Sequence, residues 1–175
     1  MCMARTVALL RGINVGGNRL IKMSDLKKTF ESLGLKDVHT VIASGNVIFS
    51  GKVTEARITA ALKKEFGHDV PVTLRTAAQL RDVVKKAPRG FASSKHRSDV
   101  IFLFKGLTAG KAFKQLEFRE GVDEGWVGKG VLYFRRLTAK ASSSKLTKVT
   151  QLPMYQQLTI RNWNTTSKLA DLTEG

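Results

Sequence analysis

Apolar residues recur along this chain with two periods, and the switches between them mark its elements. Val7 to Leu10 is an unbroken apolar run, the pattern of a strand covered on both faces, and predicts a strand over residues 6–11. Leu26, Phe30 and Leu33 then recur at helical spacing, with Ser24 expected as N-cap and Gly34 placed to stop the helix. Residues 38–43 and 46–50 read as a hairpin about Ser44-Gly45. Thr54 is expected to cap a second helix carrying Ile58, Ala61, Leu62 and Phe66 on one face, with Gly67 after it. Residues 70–75 make a fourth strand. The order βαββαβ is the split-βαβ, or ferredoxin-like, arrangement.

Thr76-Ala77-Ala78-Gln79 has the spacing of a capping box, which predicts a further helix with Leu80, Val83 and Val84 inward and Pro88-Arg89-Gly90 at its end. Residues 87–97 are small, polar and basic, as in a linker. The pattern then starts again. Residues 99–105 form an apolar strand, and 108–118 a helix with Ala112, Phe113 and Leu116 inward. Residues 121–127 and 131–136 flank a Gly128-Lys129-Gly130 turn. Ser142-Ser143-Ser144 suits a helix start, and Pro153 the first turn of a short helix with Met154, Tyr155 and Leu158. Ile160, Trp163, Leu169 and Leu172 suggest a closing helix. The fold expected is α+β: two ferredoxin-like halves with antiparallel sheets, residues 1–88 and 98–175, with extra helices at the C-terminus.

Composition narrows the class. At 175 residues the chain suits one domain or two small ones. Cys2 is its one cysteine, so no internal disulfide forms and a reducing compartment is expected. The apolar run after Arg5 is too short for a signal peptide, and no stretch approaches the roughly 20 apolar residues that span a bilayer. A cytoplasmic protein with no membrane partner is expected. The net charge of +16 is spread over both halves. Between Gly125 and Ala170 there is no acidic residue, while Lys129, Arg135, Arg136, Lys140, Lys145, Lys148, Arg161 and Lys168 stand there. Such charge attracts polyanions, although a general bias toward basic composition would look the same.

Chemistry concentrates in three polar motifs. After the first strand, Arg11-Gly12-Ile13-Asn14-Val15-Gly16-Gly17-Asn18 combines a permanent cation with residues that tolerate left-handed backbone. Such a loop can turn several N–H groups toward one anion, or can simply make a long turn. It is not a P-loop, because no Lys-Ser/Thr pair follows Gly17. Gly125, Gly128 and Gly130 reverse the dinucleotide-binding spacing, so no nucleotide cofactor is expected. His39, His68 and His96 lack ligand-like spacing and Cys2 stands alone, so no metal is expected either. No Ser-His-Asp order or paired-carboxylate motif stands out, and whether the chain is an enzyme stays open. Adjacent Ser144 and Lys145 do not face each other on a helix, which argues against a nucleophile and base there.

Leu9-Leu10-Arg11-Gly12-Ile13-Asn14-Val15-Gly16-Gly17, Ser44-Gly45-Asn46-Val47-Ile48-Phe49 and Thr159-Ile160-Arg161-Asn162-Trp163-Asn164-Thr165 together resemble domain of unknown function family 1697, in that family's order and over essentially the whole chain. The resemblance implies a bacterial-type cytosolic α+β protein of two ferredoxin-like halves and no established activity. The family usually has a Ser-Lys pair ahead of the last motif, which Ser144-Lys145-Leu146 matches. Thr166 stands where the family often has Val.

The economical reading places the motifs on one anion-friendly surface. Arg11, Lys145 and Arg161 would supply charge, Asn14, Asn46, Asn162 and Asn164 amides, Ser44, Ser144 and Thr165 hydroxyls, and Gly16 and Gly17 backbone N–H groups. Three functions fit. One is a binder of a phosphorylated small molecule or of nucleic acid. The second is an enzyme or sensor of a small anionic metabolite. The third is a non-catalytic interaction scaffold, in which the asparagines only tie loops. Lys129-Gly130 and Tyr133 echo part of the RNA-recognition signature, but Val131, Leu132 and Arg136 depart from it. Trp163 is expected in the core, from its helical spacing to Leu169 and Leu172.

Overall fold

The computed structural model describes residues 3–14, 20–42 and 45–175. Its chain divides into two compact units: Met1–Leu80 with Leu169–Gly175, and Arg81–Lys168. The first unit holds β1 (Arg5–Leu10), α1 (Met23–Ser32), β2 (Lys36–Val41), β3 (Asn46–Ser50), α2 (Glu55–Phe66) and β4 (Val72–Thr76), followed by the start of α3 (Ala77–Lys85). The second holds β5 (His96–Leu103), α4 (Ala109–Phe113), β6 (Asp123–Val127), β7 (Val131–Leu137), β8 (Leu158–Asn162) and the first half of α5 (Trp163–Glu174). Each sheet is four-stranded and antiparallel, ordered β2-β3-β1-β4 and β6-β7-β5-β8. These are two ferredoxin-like halves. Where the first has α2, the second has three 3-10 helices, at Thr138–Ser143, Lys145–Gln151 and Pro153–Gln157.

Local chemistry accounts for most boundaries. Thr54 Oγ1 accepts the Arg57 N–H, and Gly67 ends α2 in the left-handed region at φ +77°. The capping box forms in both directions: Gln79 N–H donates to Thr76 Oγ1 at 3.2 Å, and Thr76 N–H to Gln79 Oε1 at 2.9 Å. Ser144 Oγ accepts the Leu146 N–H and opens the second 3-10 helix. Two expectations are corrected. α1 starts one residue before Ser24, and its N-cap is Lys22, whose side chain makes no capping bond. Ile160 belongs to a strand and not to the closing helix: Thr159-Ile160-Arg161 pairs with Val100-Ile101-Phe102 along the edge of the second sheet. Thr, Ile and Arg in sequence fit a half-buried edge strand, and pairing to β5 overrides the helical spacing.

One face of each sheet is covered by its own helices. Ala8, Leu10, Val47, Phe49 and Val72 pack with Leu26 and Phe30 of α1 and Ile58 and Leu62 of α2. In the second unit Ile101, Leu103, Leu132 and Phe134 pack with Ala112 of α4, Leu116, and Leu146, Val149 and Met154 of the 3-10 helices. Phe118 stacks on Phe134 with centroids 5.3 Å apart.

The registers superimpose the halves residue by residue. Val7 lies between Ile48 and Arg75, and Val100 between Tyr133 and Arg161. Thr73-Leu74-Arg75-Thr76 is therefore the counterpart of Thr159-Ile160-Arg161-Asn162. Their side chains agree as well. Arg75 Nη1 donates to Thr73 Oγ1 at 2.7 Å and to the Leu74 carbonyl at 2.9 Å. Arg161 Nη1 donates to Thr159 Oγ1 at 2.7 Å and to the Ile160 carbonyl at 2.9 Å.

Phe91 anchors the segment leading into β5. It is buried and meets Trp126, Tyr133 and Trp163 edge-to-face, with centroids 6.1, 5.3 and 5.3 Å away. Its carbonyl accepts from Ser98 Oγ. Tyr133 donates its hydroxyl to the Val83 carbonyl at 2.7 Å, and burial pushes its phenol up to about 12. Phe91→Ala is expected to destabilise the protein by roughly 3–5 kcal/mol, the usual cost of emptying a buried phenyl site. Urea denaturation of both proteins checks this, and a loss under about 1 kcal/mol would show that the ring cluster does not hold the segment.

Candidate functional site

The first two polar motifs meet at one end of the first sheet. The Leu10 N–H donates to the Gly45 carbonyl at 2.8 Å, and the Arg11 N–H to the Pro71 carbonyl at 2.9 Å. Gly45 has φ +90°, and a Cβ there would lie 3.0 Å from both Leu10 Cβ and Ile13 Cγ1, so only glycine lets the segments approach. Asn14, at φ +53°, accepts the Ile21 N–H at 2.8 Å and donates to the Ile21 carbonyl at 3.1 Å. Asn46 is fully buried and donates to the Val41 carbonyl at 3.0 Å. These two amides tie backbone to backbone. Arg11 is half-buried just beyond β1. Gly16, Gly17 and Ser44 lie outside the described residues.

In the second unit Arg161 is buried, and desolvation lowers its guanidinium to about 10. Burial also lowers Arg75, against the opposing charge of Glu55. Because both arginines fold back on their own strands in the same way, this arrangement is a property of the fold. Lys145 follows the buried Ser144. The carboxylate of Asp123 accepts from Ser144 Oγ at 2.6 Å, from the Lys145 N–H at 2.8 Å and from the Arg119 N–H at 2.9 Å. Lys145 Nζ lies 3.8 Å from Glu117, which also pairs with Lys148 at 3.3 Å, and the neighbouring Lys148 lowers its pKa.

A different group converges. A cleft of about 530 Å³ opens where β5 begins, β7 ends and β8 passes into α5. His96, Arg97, Asp99, Arg136, Asn162 and Asn164 line it, with Trp163 and the serines of residues 93–94. Strand register explains the grouping. Arg97 is directly opposite Arg136, and Asp99 directly opposite Asn162, so these four side chains share one sheet face in two adjacent rows. Asp99 Oδ2 is 3.3 Å from Arg136 Nη1. Burial raises the Asp99 carboxyl above its ordinary range, against Arg136 and then Arg97. His96 is lowered, by desolvation first and then by Arg135, and its buried Nδ1 has no hydrogen-bond partner among the described residues. Asn162 Oδ1 accepts the Thr165 N–H at 2.8 Å, capping α5, and three residues of the last motif, Asn162, Trp163 and Asn164, line the cleft. Trp163, expected in the core, is half-buried and forms part of the wall.

The first half serves as an internal control. By register the counterparts of Arg97, Asp99, Arg136 and Asn162 are Ala4, Thr6, Gly51 and Thr76. The same topology is built there without any of these charges, so the fold does not require them. Arg97, Asp99, Arg136 and His96 escaped sequence reasoning because they flank apolar strands, where charges usually meet solvent. The one available signal was Arg97-Ser98-Asp99 running straight into Val100-Ile101-Phe102. Among the described residues no group of three or more His, Cys, Asp or Glu could hold a metal, and no helix is long and apolar enough to cross a membrane.

This fold and these motifs define a class that comparison with known proteins identifies. The chain belongs to the family described as Protein of unknown function (DUF1697), whose model matches residues 3–133. Among solved structures it is similar to the conserved bacterial protein SP0830 from Streptococcus pneumoniae, at 25% identity and a TM-score of 0.81, over 98% of this chain and 99% of that one. No curated protein matches it.

Asp99 should titrate above the ordinary 3.8, and Arg136→Gln should raise it further by removing the stronger of its two compensating charges. Between 3.8 and the raised native value the folded state holds a proton that the unfolded chain has lost. Its contribution to stability therefore falls as pH rises through that window. Carboxyl NMR titration of both proteins checks this, and a midpoint at or below 3.8 in the unchanged protein would refute it.

Proposed function

We propose that the protein is a cytoplasmic binding protein for a phosphate-bearing ligand, seated in the cleft of its second unit. One observation supports this reading above the others: two guanidinium groups oppose each other across β5 and β7 at a cleft, where the register-equivalent positions of the first half, Ala4 and Gly51, carry none. Like charges directly opposite on a sheet are unfavourable by up to about 1 kcal/mol. Asp99 offsets part of that, and a bound phosphate would offset the rest through paired N–H donors of fixed geometry. The amide of the exposed Asn164 and the first turn of α5, a helix of 12 residues, favour the same charge. The volume suits a small molecule.

The net charge of +16 favours a second reading, in which the phosphate belongs to a nucleic acid strand. Isothermal titration with inorganic phosphate and salt-dependent titration with a labelled oligonucleotide separate the two. Arg97→Gln is the informative variant, because Arg97 is exposed and its loss leaves the Asp99–Arg136 pair intact. On the first reading it weakens phosphate binding roughly tenfold, the usual value of a charged hydrogen bond. On the second it lowers the salt slope of oligonucleotide binding by about one. If Arg97→Gln changes neither, the ligand does not sit in this cleft.

Bound phosphate should also raise the Asp99 titration midpoint, because a second anion beside the carboxylate disfavours its ionisation. The same NMR experiment with and without saturating phosphate checks this, and an unmoved midpoint would place any bound phosphate elsewhere.

A further inference from the structure

We infer that the ligand is a nucleoside phosphate, with its phosphoryl group between Arg97 and Arg136 and its base against Trp163; this rests on the phosphate reading above. The arginine pair can occupy only the anionic end of a ligand. The cleft, at about 530 Å³, has room for a much larger body, and its remaining walls show what that body is. Trp163 lines the cleft and is only half-buried. It meets Phe91 edge-to-face, at 87° and 5.3 Å, and so packs on the same ring cluster that holds the segment before β5. A half-buried indole held in place in a cleft wall suits stacking by a flat heterocycle.

The polar groups near the indole complete the match. Asn164 follows Trp163 directly, is exposed, and its side chain makes no hydrogen bond among the described residues. A carboxamide offers one donor and one acceptor side by side, the pair that a base edge presents in return. Asp99 lines the cleft with 14% of its side chain exposed, while its buried Oδ2 faces Arg136 in an ion pair. It is an acceptor suited to a sugar hydroxyl or a ring N–H. Two strand ends and one helix start therefore supply cations for a phosphoryl group, an acceptor for a hydroxyl, and a ring and an amide for a base. A sugar phosphate would use the first two and leave the indole and Asn164 idle.

The test uses the full chain carrying Trp126→Phe, so that Trp163 is the one remaining tryptophan and its emission reports the cleft. Inorganic phosphate, ribose 5-phosphate, adenosine monophosphate and guanosine monophosphate are titrated in turn. The expected result is quenching of Trp163 by a nucleotide, bound about tenfold or more tighter than ribose 5-phosphate, the advantage of one stacked base. Trp163→Leu, followed by calorimetry, should remove that advantage and leave ribose 5-phosphate affinity unchanged, while Asn164→Ala should reduce it without altering the fold. Equal affinity for nucleotides and ribose 5-phosphate overturns the nucleoside assignment and leaves the phosphate reading standing. Absence of binding by all four compounds overturns both.

Discussion

Antiparallel pairing of β5 with β7 on one side and β8 on the other is the constraint on which the second unit depends. It leaves no freedom in which side chains become neighbours. Once Ile101 faces Leu132 and Ile160 in the core, Asp99 must face Phe134 and Asn162, and Arg97 must face Arg136. A slip of one residue would turn the apolar set outward and cost the core, so the hydrophobic pattern holds the charged row in place. The cleft is thus a by-product of core register, made at the sheet end where apolar cover stops.

The two halves show which features the topology needs and which it does not. Both use a threonine two residues before an arginine on the outermost strand, with the guanidinium bonded to that hydroxyl and to the intervening carbonyl. Both end that strand in a residue whose side chain caps the next helix, Thr76 and Asn162. Repetition on this scale marks Arg75 and Arg161 as parts of the frame. An edge arginine that satisfies its own strand also makes the strand less inviting to a stray partner. The charged row has no repeat, and that asymmetry separates a functional grouping from a structural one.

The polar motifs that stood out along the chain divide the same way. Asn14 and Asn46 bind backbone on both sides of a turn, and Gly45 exists because Leu10 and Ile13 leave no room for a Cβ. These residues allow two loops to pack side by side. Asn162 and Asn164 stand at a helix start where a cleft opens. Residue type alone could not separate an asparagine that closes a turn from one that faces an opening, because the amide is equally suited to both.

Periodicity and caps determined the element order as far as β7, both hairpins and the capping box at Thr76, because these depend on near neighbours along the chain. β8 was hidden, since Thr159-Ile160-Arg161 is short and its strand character comes from a partner some sixty residues earlier. The cleft was hidden for the same reason: Arg97, Asp99, Arg136 and Asn162 are scattered over 66 positions, and only cross-strand register brings them together. Local propensity is written in adjacent residues. Adjacency across a sheet is decided by which apolar faces must be buried together, and that is settled only when the chain folds.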